Sequence, residues 1–227
     1  MREVVFDTET TGLDPKTGDR LVEIGCIELV NRVSTGRTFH AYFNPGRPMP
    51  IEAEQVHGLS DAFLADKPRF HEGVPGLLEF IADSPLVAHN AQFDFGFLNF
   101  ELDACGHAEI SLERMVDTLA IARRRHPGAK HSLDALCTRY GIDRSHRVRH
   151  GALLDAELLA QVYVELTGGR QIGLELAAER IETVVETAAF VPARREFRPP
   201  RPHGASAEEL ERHKAFVETL DSPLWAT

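Results

Sequence analysis

Apolar and polar positions change rhythm twice along this chain. Residues 3–7 (EVVFD) form a short apolar run ending in the polar turn ETTG, 20–30 (RLVEIGCIELV) a longer one, and 33–43 alternate with aromatics interspersed, so three strands are predicted. Gly18-Asp19 and Ser34-Thr35-Gly36 supply turn chemistry between them, which makes an antiparallel meander. Helical spacing takes over next: Phe70, Val74, Leu77, Leu78 and Ile81 share one face. PLVAH at 85–89 reads as a brief strand, and 92–105 as a helix with Phe93, Phe97, Phe100 and Leu102 to one side. A short strand near 113–116 precedes helices near 118–125 and 132–140. The last helix of this part, 151 to about 166, carries Leu153, Leu154, Leu158, Leu159 and Val162 in period. Strands first and helices afterwards predict an α/β fold, a mixed sheet flanked by helices.

Thr167-Gly168-Gly169 is a stop signal, and the first domain is expected to span 1–170. Residues 171–190 are apolar and acidic. The stretch 191–204 holds four prolines and four arginines, and Pro192, Pro199, Pro200 and Pro202 forbid a continuous helix or a central strand, which leaves an extended linker. Residues 205–221 read as one charged amphipathic helix within a terminal segment, 205–227, that contains the only tryptophan, Trp225.

With 227 residues, 43% of them hydrophobic, the chain can bury a core for one domain plus an appendage. It has no run of 18 apolar residues and no basic-then-apolar leader, so a protein that stays in the cytoplasm and meets no membrane is expected. Cys26, Cys105 and Cys137 are odd in number and far apart, which excludes a disulfide framework and fits a reducing compartment. The net charge of -10 excludes a protein that coats nucleic acid through bulk electrostatics. A phosphodiester substrate stays open, because carboxylates holding divalent cations present a locally positive surface.

Four acids recur where apolar segments end: Asp7 and Glu9 in FDTET, Asp94 in HNAQFD and Asp155 in HGALLDA. Side chains two apart on a strand share a face, so Asp7 and Glu9 can reach one cation. Oxygen donors without cysteine favour Mg²⁺ or Mn²⁺. Two such ions about 4 Å apart suit in-line attack of water on a phosphodiester, and a histidine beside the water serves as general base. His150 and Asp155 are five apart and do not stack on one helical face, yet a loop position lets His150 fold back toward the same cavity. Taken singly, Asp94 is also a helix cap, Asp155 a solvated helix residue and His150 a surface residue of a basic loop.

The segments FDTETTG (6–12), HNAQFD (89–94) and HGALLDA (150–156) resemble, in order and separation, the three motifs of the DEDDh 3′–5′ exonucleases of the ribonuclease H-like superfamily. The resemblance covers most of 3–166 and implies a five-stranded mixed sheet, with Asp7, Glu9, Asp94 and Asp155 as metal-binding acids and His150 as general base. PIEAEQVHGLS (50–60) is similar to the segment that lies over the terminal nucleotide in this family. By that likeness Glu52 meets the terminal 3′-hydroxyl or sugar, and Val56 and His57 pack on the nucleotide; read from its residues alone, the segment is a helix with a glycine cap. Asn90 and Phe93, inside the second motif, join these as candidate substrate contacts. The basic stretches 123–131 and 144–150 either hold the phosphates of the entering strand or are solvated loops.

The appendage carries two further likenesses. Gln171-Ile172-Gly173-Leu174-Glu175-Leu176 resembles the peptide by which bacterial replication proteins dock on the sliding clamp, which would make Gln171, Leu174 and Leu176 the docking residues; the alternative is the first turn of a helix. Residues 205–227 resemble the segment by which proofreading subunits of bacterial DNA polymerase III bind the polymerase (alpha) subunit, with Leu210, Phe216, Leu220 and Trp225 as anchors. A replisome component is thereby implied, acting on a DNA 3′ end, with a small accessory subunit as a further candidate partner. A free-standing exonuclease trimming single-stranded DNA or RNA and a non-catalytic scaffold are the competing readings.

Overall fold

Val4, Val5 and Phe6 are fully buried on alternating sides of one strand, and the rest of the sheet is laid out around them. The computed structural model describes residues 1–145, 147, 150–169 and 204–221. In it β1 spans Arg2–Thr10, β2 Leu21–Val30 and β3 Val33–Tyr42, paired antiparallel in succession as the meander required. Three helices, α1 (Ile51–His57), α2 (Asp61–Leu64) and α3 (Phe70–Ile81), cross to β4 (Leu86–Ala88), and α4 (Ala91–Ala104) leads on to β5 (Met115–Asp117). The strand order is β3-β2-β1-β4-β5, with β4 parallel to β1 and β5 parallel to β4. After the sheet come α5 (Thr118–Arg125), α6 (Leu133–Tyr140) and α7 (Ala152–Leu166).

Both faces of the sheet are covered. Val4, Phe6, Ile24 and Cys26 pack with Val74 and Leu77 of α3 and Phe97 and Leu98 of α4. Val5, Ile27 and Leu29 pack with Ala156, Leu159 and Tyr163 of α7. Burial on two sides is why β1 and β2 read as continuous apolar runs, whereas β3, at the edge, is mostly exposed. One helix differs from its predicted stripe. Phe100 of α4 is 38% exposed, while Phe95, Leu98 and Glu101 are buried beside Phe97 and Leu102. The buried surface of α4 is wider than one stripe because Glu101 also faces inward, where its carboxylate accepts from Arg20 Nε at 2.7 Å and from the Leu21 N–H at 3.2 Å. That pairing supplies the partner a buried charge requires and ties α4 to the start of β2.

The chain divides into two compact units, Met1–Ala177 and Ala178–Thr227. In the second, α8 (Ala207–Val217) begins at Ser206, which accepts the Glu209 N–H while Glu209 reaches back to the Ser206 N–H. Leu210, Phe216 and Leu220 are exposed there. Gln171, Leu174, Leu176, Trp225 and all of the 191–204 linker except Gly204 lie outside the described residues. No described helix is long and apolar enough to cross a membrane.

Candidate active site

β1 is paired with β4 only through Val4 and Val5, so its last residues run on with β2 alone beside them. A parallel pair that splays apart at its carboxyl end leaves a crevice, and Asp7 and Glu9 lie on this run. Opposite Asp7 stands Gly25 of β2. A Cβ there would lie 2.3 Å from the Leu153 backbone, so only glycine lets the first turn of α7 rest directly on the strand. Asp155 is in that first turn. From the other face of the sheet, Asp94 is in the first turn of α4, held by Thr8 Oγ1, which donates to its Oδ1 at 2.7 Å. Asn90 turns the chain into α4 with left-handed φ 62°, a conformation asparagine tolerates, and its N–H donates to Asp117 Oδ1 at 3.1 Å. Two helix N-termini, each favourable to negative charge, thus approach the end of one strand from opposite sides.

Among the described residues, Glu9, Asp155 and His150 come together: each offers a ligand atom within 4.8 Å of the other two. Both carboxylates are buried, at 9% and 3% exposure. Burial pushes the Glu9 carboxyl up to about 8, reinforced by Glu23, Asp155 and Asp94, with Arg147 opposing. Burial likewise holds Asp94 up at about 7 against its hydrogen bond from Thr8. Asp7 is raised well above the carboxylate range by burial and then by Asp94, Glu9 and Asp155. Carboxyls that resist ionisation because they are buried, and at Asp7 and Glu9 also because other carboxylates face them, are a site short of positive charge. Buried oxygen donors with one imidazole suit a hard or borderline divalent cation, so the residues fit the group that the sequence implied.

The segment 50–60 reaches the same place. It is a short helix, α1, ended by Gly58 at φ 79°, and the Val56 carbonyl accepts the His150 N–H at 3.3 Å. Glu52 and Val56 are exposed on it, whereas His57 is buried, its Nδ1 accepting the Leu59 N–H while Nε2 has no hydrogen-bond partner among the described residues. Phe93 is half-buried against Phe97 with ring centroids 5.0 Å apart, and Asn90 is exposed.

Sequence reasoning singled out neither Gly25 nor Arg147. The basic stretch 144–150 is more than a solvated loop, since the Arg147 side chain is only 9% exposed and forks Asp155, with Nε to Oδ1 at 2.5 Å and Nη2 to Oδ2 at 2.6 Å. The other stretch serves an element end: Arg125 donates to the Leu166 carbonyl at the end of α7 at 2.7 Å.

A mixed sheet whose central strand ends in acids, met by helices bringing a third and a fourth acid, is the architecture of a ribonuclease H-like, metal-dependent nuclease. Residues 4–163 match the RNase T exonuclease family. Among solved structures, the chain is similar to exonuclease X in complex with 5′-overhanging duplex DNA, with a TM-score of 0.55 and 25% identity over 72% of this chain and 90% of that one. It shares its fold with Escherichia coli exonuclease I bound to single-stranded DNA, at a TM-score of 0.62 and 18% identity over 75% of this chain and 41% of that one. Among curated proteins it is 49% identical to DNA polymerase III subunit epsilon of Rickettsia felis, covering 97% of both chains. The chain belongs to the DEDDh exonucleases, in the family of DNA polymerase III epsilon subunits.

Proposed function

We propose that this protein is the proofreading 3′–5′ exonuclease of a bacterial DNA polymerase III, hydrolysing the terminal phosphodiester of a mispaired primer and releasing nucleoside 5′-monophosphates. The observation that carries the reading is the convergence of Glu9, Asp155 and His150 within 4.8 Å, in a chain similar along its whole length to epsilon subunits. Asp7, Glu9, Asp94 and Asp155 would hold two divalent cations, Mg²⁺ or Mn²⁺, which supply Lewis acidity for activating water and stabilising the leaving oxygen. His150, half-exposed at the rim, takes the proton of the attacking water. The terminal nucleotide lies against α1, where Glu52 meets the 3′-hydroxyl or sugar and Val56 and His57 pack on the nucleotide, while Asn90 and Phe93 line the other wall. Gln171, Leu174 and Leu176 dock on the sliding clamp, and Leu210, Phe216, Leu220 and Trp225 on the polymerase alpha subunit; a small accessory subunit is a further partner.

The test is digestion of a 5′-labelled primer, matched or mispaired at its 3′ end, with Mg²⁺ or chelator. A ladder shortening from the 3′ end is expected, faster on the mispair, absent with chelator, and reduced at least ~10³-fold in the Asp7→Ala, Glu9→Ala double variant. An intact primer in the presence of metal overturns the reading.

A further inference from the structure

Arg147 turns inward from the basic stretch and places a full positive charge among the carboxylates. Its guanidinium is engaged on three sides. Nε and Nη2 occupy both oxygens of Asp155, Nη1 donates to Asp134 Oδ1 of α6 at 2.7 Å, and Nη2 also donates to His150 Nδ1 at 2.7 Å. His150 Nδ1 is in addition 3.2 Å from Asp155 Oδ2. A divalent cation competes with the forked guanidinium for this carboxylate, because the two positive charges repel at contact distance with little water between them.

We propose that Arg147 is a positioning residue, a built-in counterion that competes with a divalent cation for Asp155 and keeps Asp155 and His150 in place until the cation takes the carboxylate over. This rests on the reading that the cluster holds such a cation. Two features give the displaced group somewhere to go. Asp134 is half-exposed and already pairs with Arg144 at 3.0 Å, so it can retain Nη1 after Asp155 lets go. Beside it opens a cleft of about 420 Å³ lined by Asp134, Gly141, Ser145 and Arg147. Release of Nη2 also uncovers His150 Nδ1, which accepts from the guanidinium at 2.7 Å. Metal occupancy and exposure of this nitrogen are thereby coupled through one side chain. Lysine, a point charge without the planar fork, would reproduce the charge and not the two-oxygen grip.

The experiment uses the full chain without nucleic acid: Mn²⁺ binding by calorimetry, and melting in chelator, for wild type, Arg147→Gln and Arg147→Lys. If the latch leaves about a tenth of the protein free to bind, Arg147→Gln binds Mn²⁺ about tenfold more tightly than wild type. It also melts lower in chelator, and Arg147→Lys falls between the two. In wild-type protein the Arg147 Nε–H resonance shifts during an Mg²⁺ titration in step with site occupancy, a readout that needs no folded variant. Unchanged or weaker Mn²⁺ binding by Arg147→Gln, or a resonance that stays put to saturation, overturns the latch alone. Failure of wild type and variants alike to bind Mn²⁺ overturns the cation reading and the latch with it.

Discussion

With no cation beside it, Glu9 has its carboxyl pushed up to about 8 against an ordinary 4.5, first through burial and then through Glu23. The folded chain therefore binds this proton more firmly than the unfolded chain does. The stability it contributes is complete below pH 4.5 and is lost as pH rises through about 8. Asp94, at about 7, acts in the same direction. Glu9→Gln keeps the neutral form at every pH. In chelator at pH 8 the variant is expected to melt about 2–4 °C above wild type, a shift worth about 1 kcal/mol in a chain of this size, and at pH 5 the two should coincide. Adding a divalent cation at pH 8 should reverse the order, since only wild type has the full set of ligands. A gap that is equal at both pH values would disconnect Glu9 from this balance. The carboxyls are thus a local liability that a cation relieves, a common trade of stability for activity.

Among the elements, the contact between β2 and α7 carries the most. Gly25→Ala would set a methyl 2.3 Å from the Leu153 backbone, which cannot turn aside as a side chain can. The helix must lift, and Asp155 with it. We expect destabilisation of about 1–3 kcal/mol and a loss of digestion rate on the order of 10²-fold, the effect of misplacing a reacting group by about 1 Å. Gly96→Ala is the matched control. That residue is exposed within α4, has open space where a Cβ would stand, and should gain about 0.5–1 kcal/mol in urea melts without loss of rate. The sequence carried the meander and the order of helices because burial period and turn residues are local properties. It also offered Asp7, Glu9, Asp94 and Asp155 as candidates, since they stand at ends of elements that periodicity defines, and the fold brings Glu9 and Asp155 together with His150. Gly25 was illegible, because a close approach from residue 153 leaves no local trace in a strand. Arg147 looked like any arginine of a charged loop until Asp155 and Asp134 were seen on either side of it. The exposure of Phe100 was missed because a single stripe was assumed for a helix that also turns Glu101 inward.

At the scale of the molecule, the nuclease residues belong to one compact unit, and the exposed apolar side chains of α8 to another. Removing 171–227 should leave metal-dependent digestion of free single-stranded DNA unchanged. Removal of mispairs from primers held by the polymerase should fall by roughly 10²-fold or more, the cost of replacing a tethered encounter by a diffusive one. Equal losses on both substrates would assign the tail a part in the chemistry itself. The span of the site along the chain has another effect. During synthesis, at roughly 5–20 residues per second, the hairpins of β1, β2 and β3 are available early, carrying Asp7 and Glu9. Asp155 arrives only with α7, whose first turn must then settle on Gly25. With the proposed centre, a ribosome-bound fragment is expected to have carboxylates without their partner acid, and to gain the capacity to cut nucleic acid only once nearly the whole nuclease has been made.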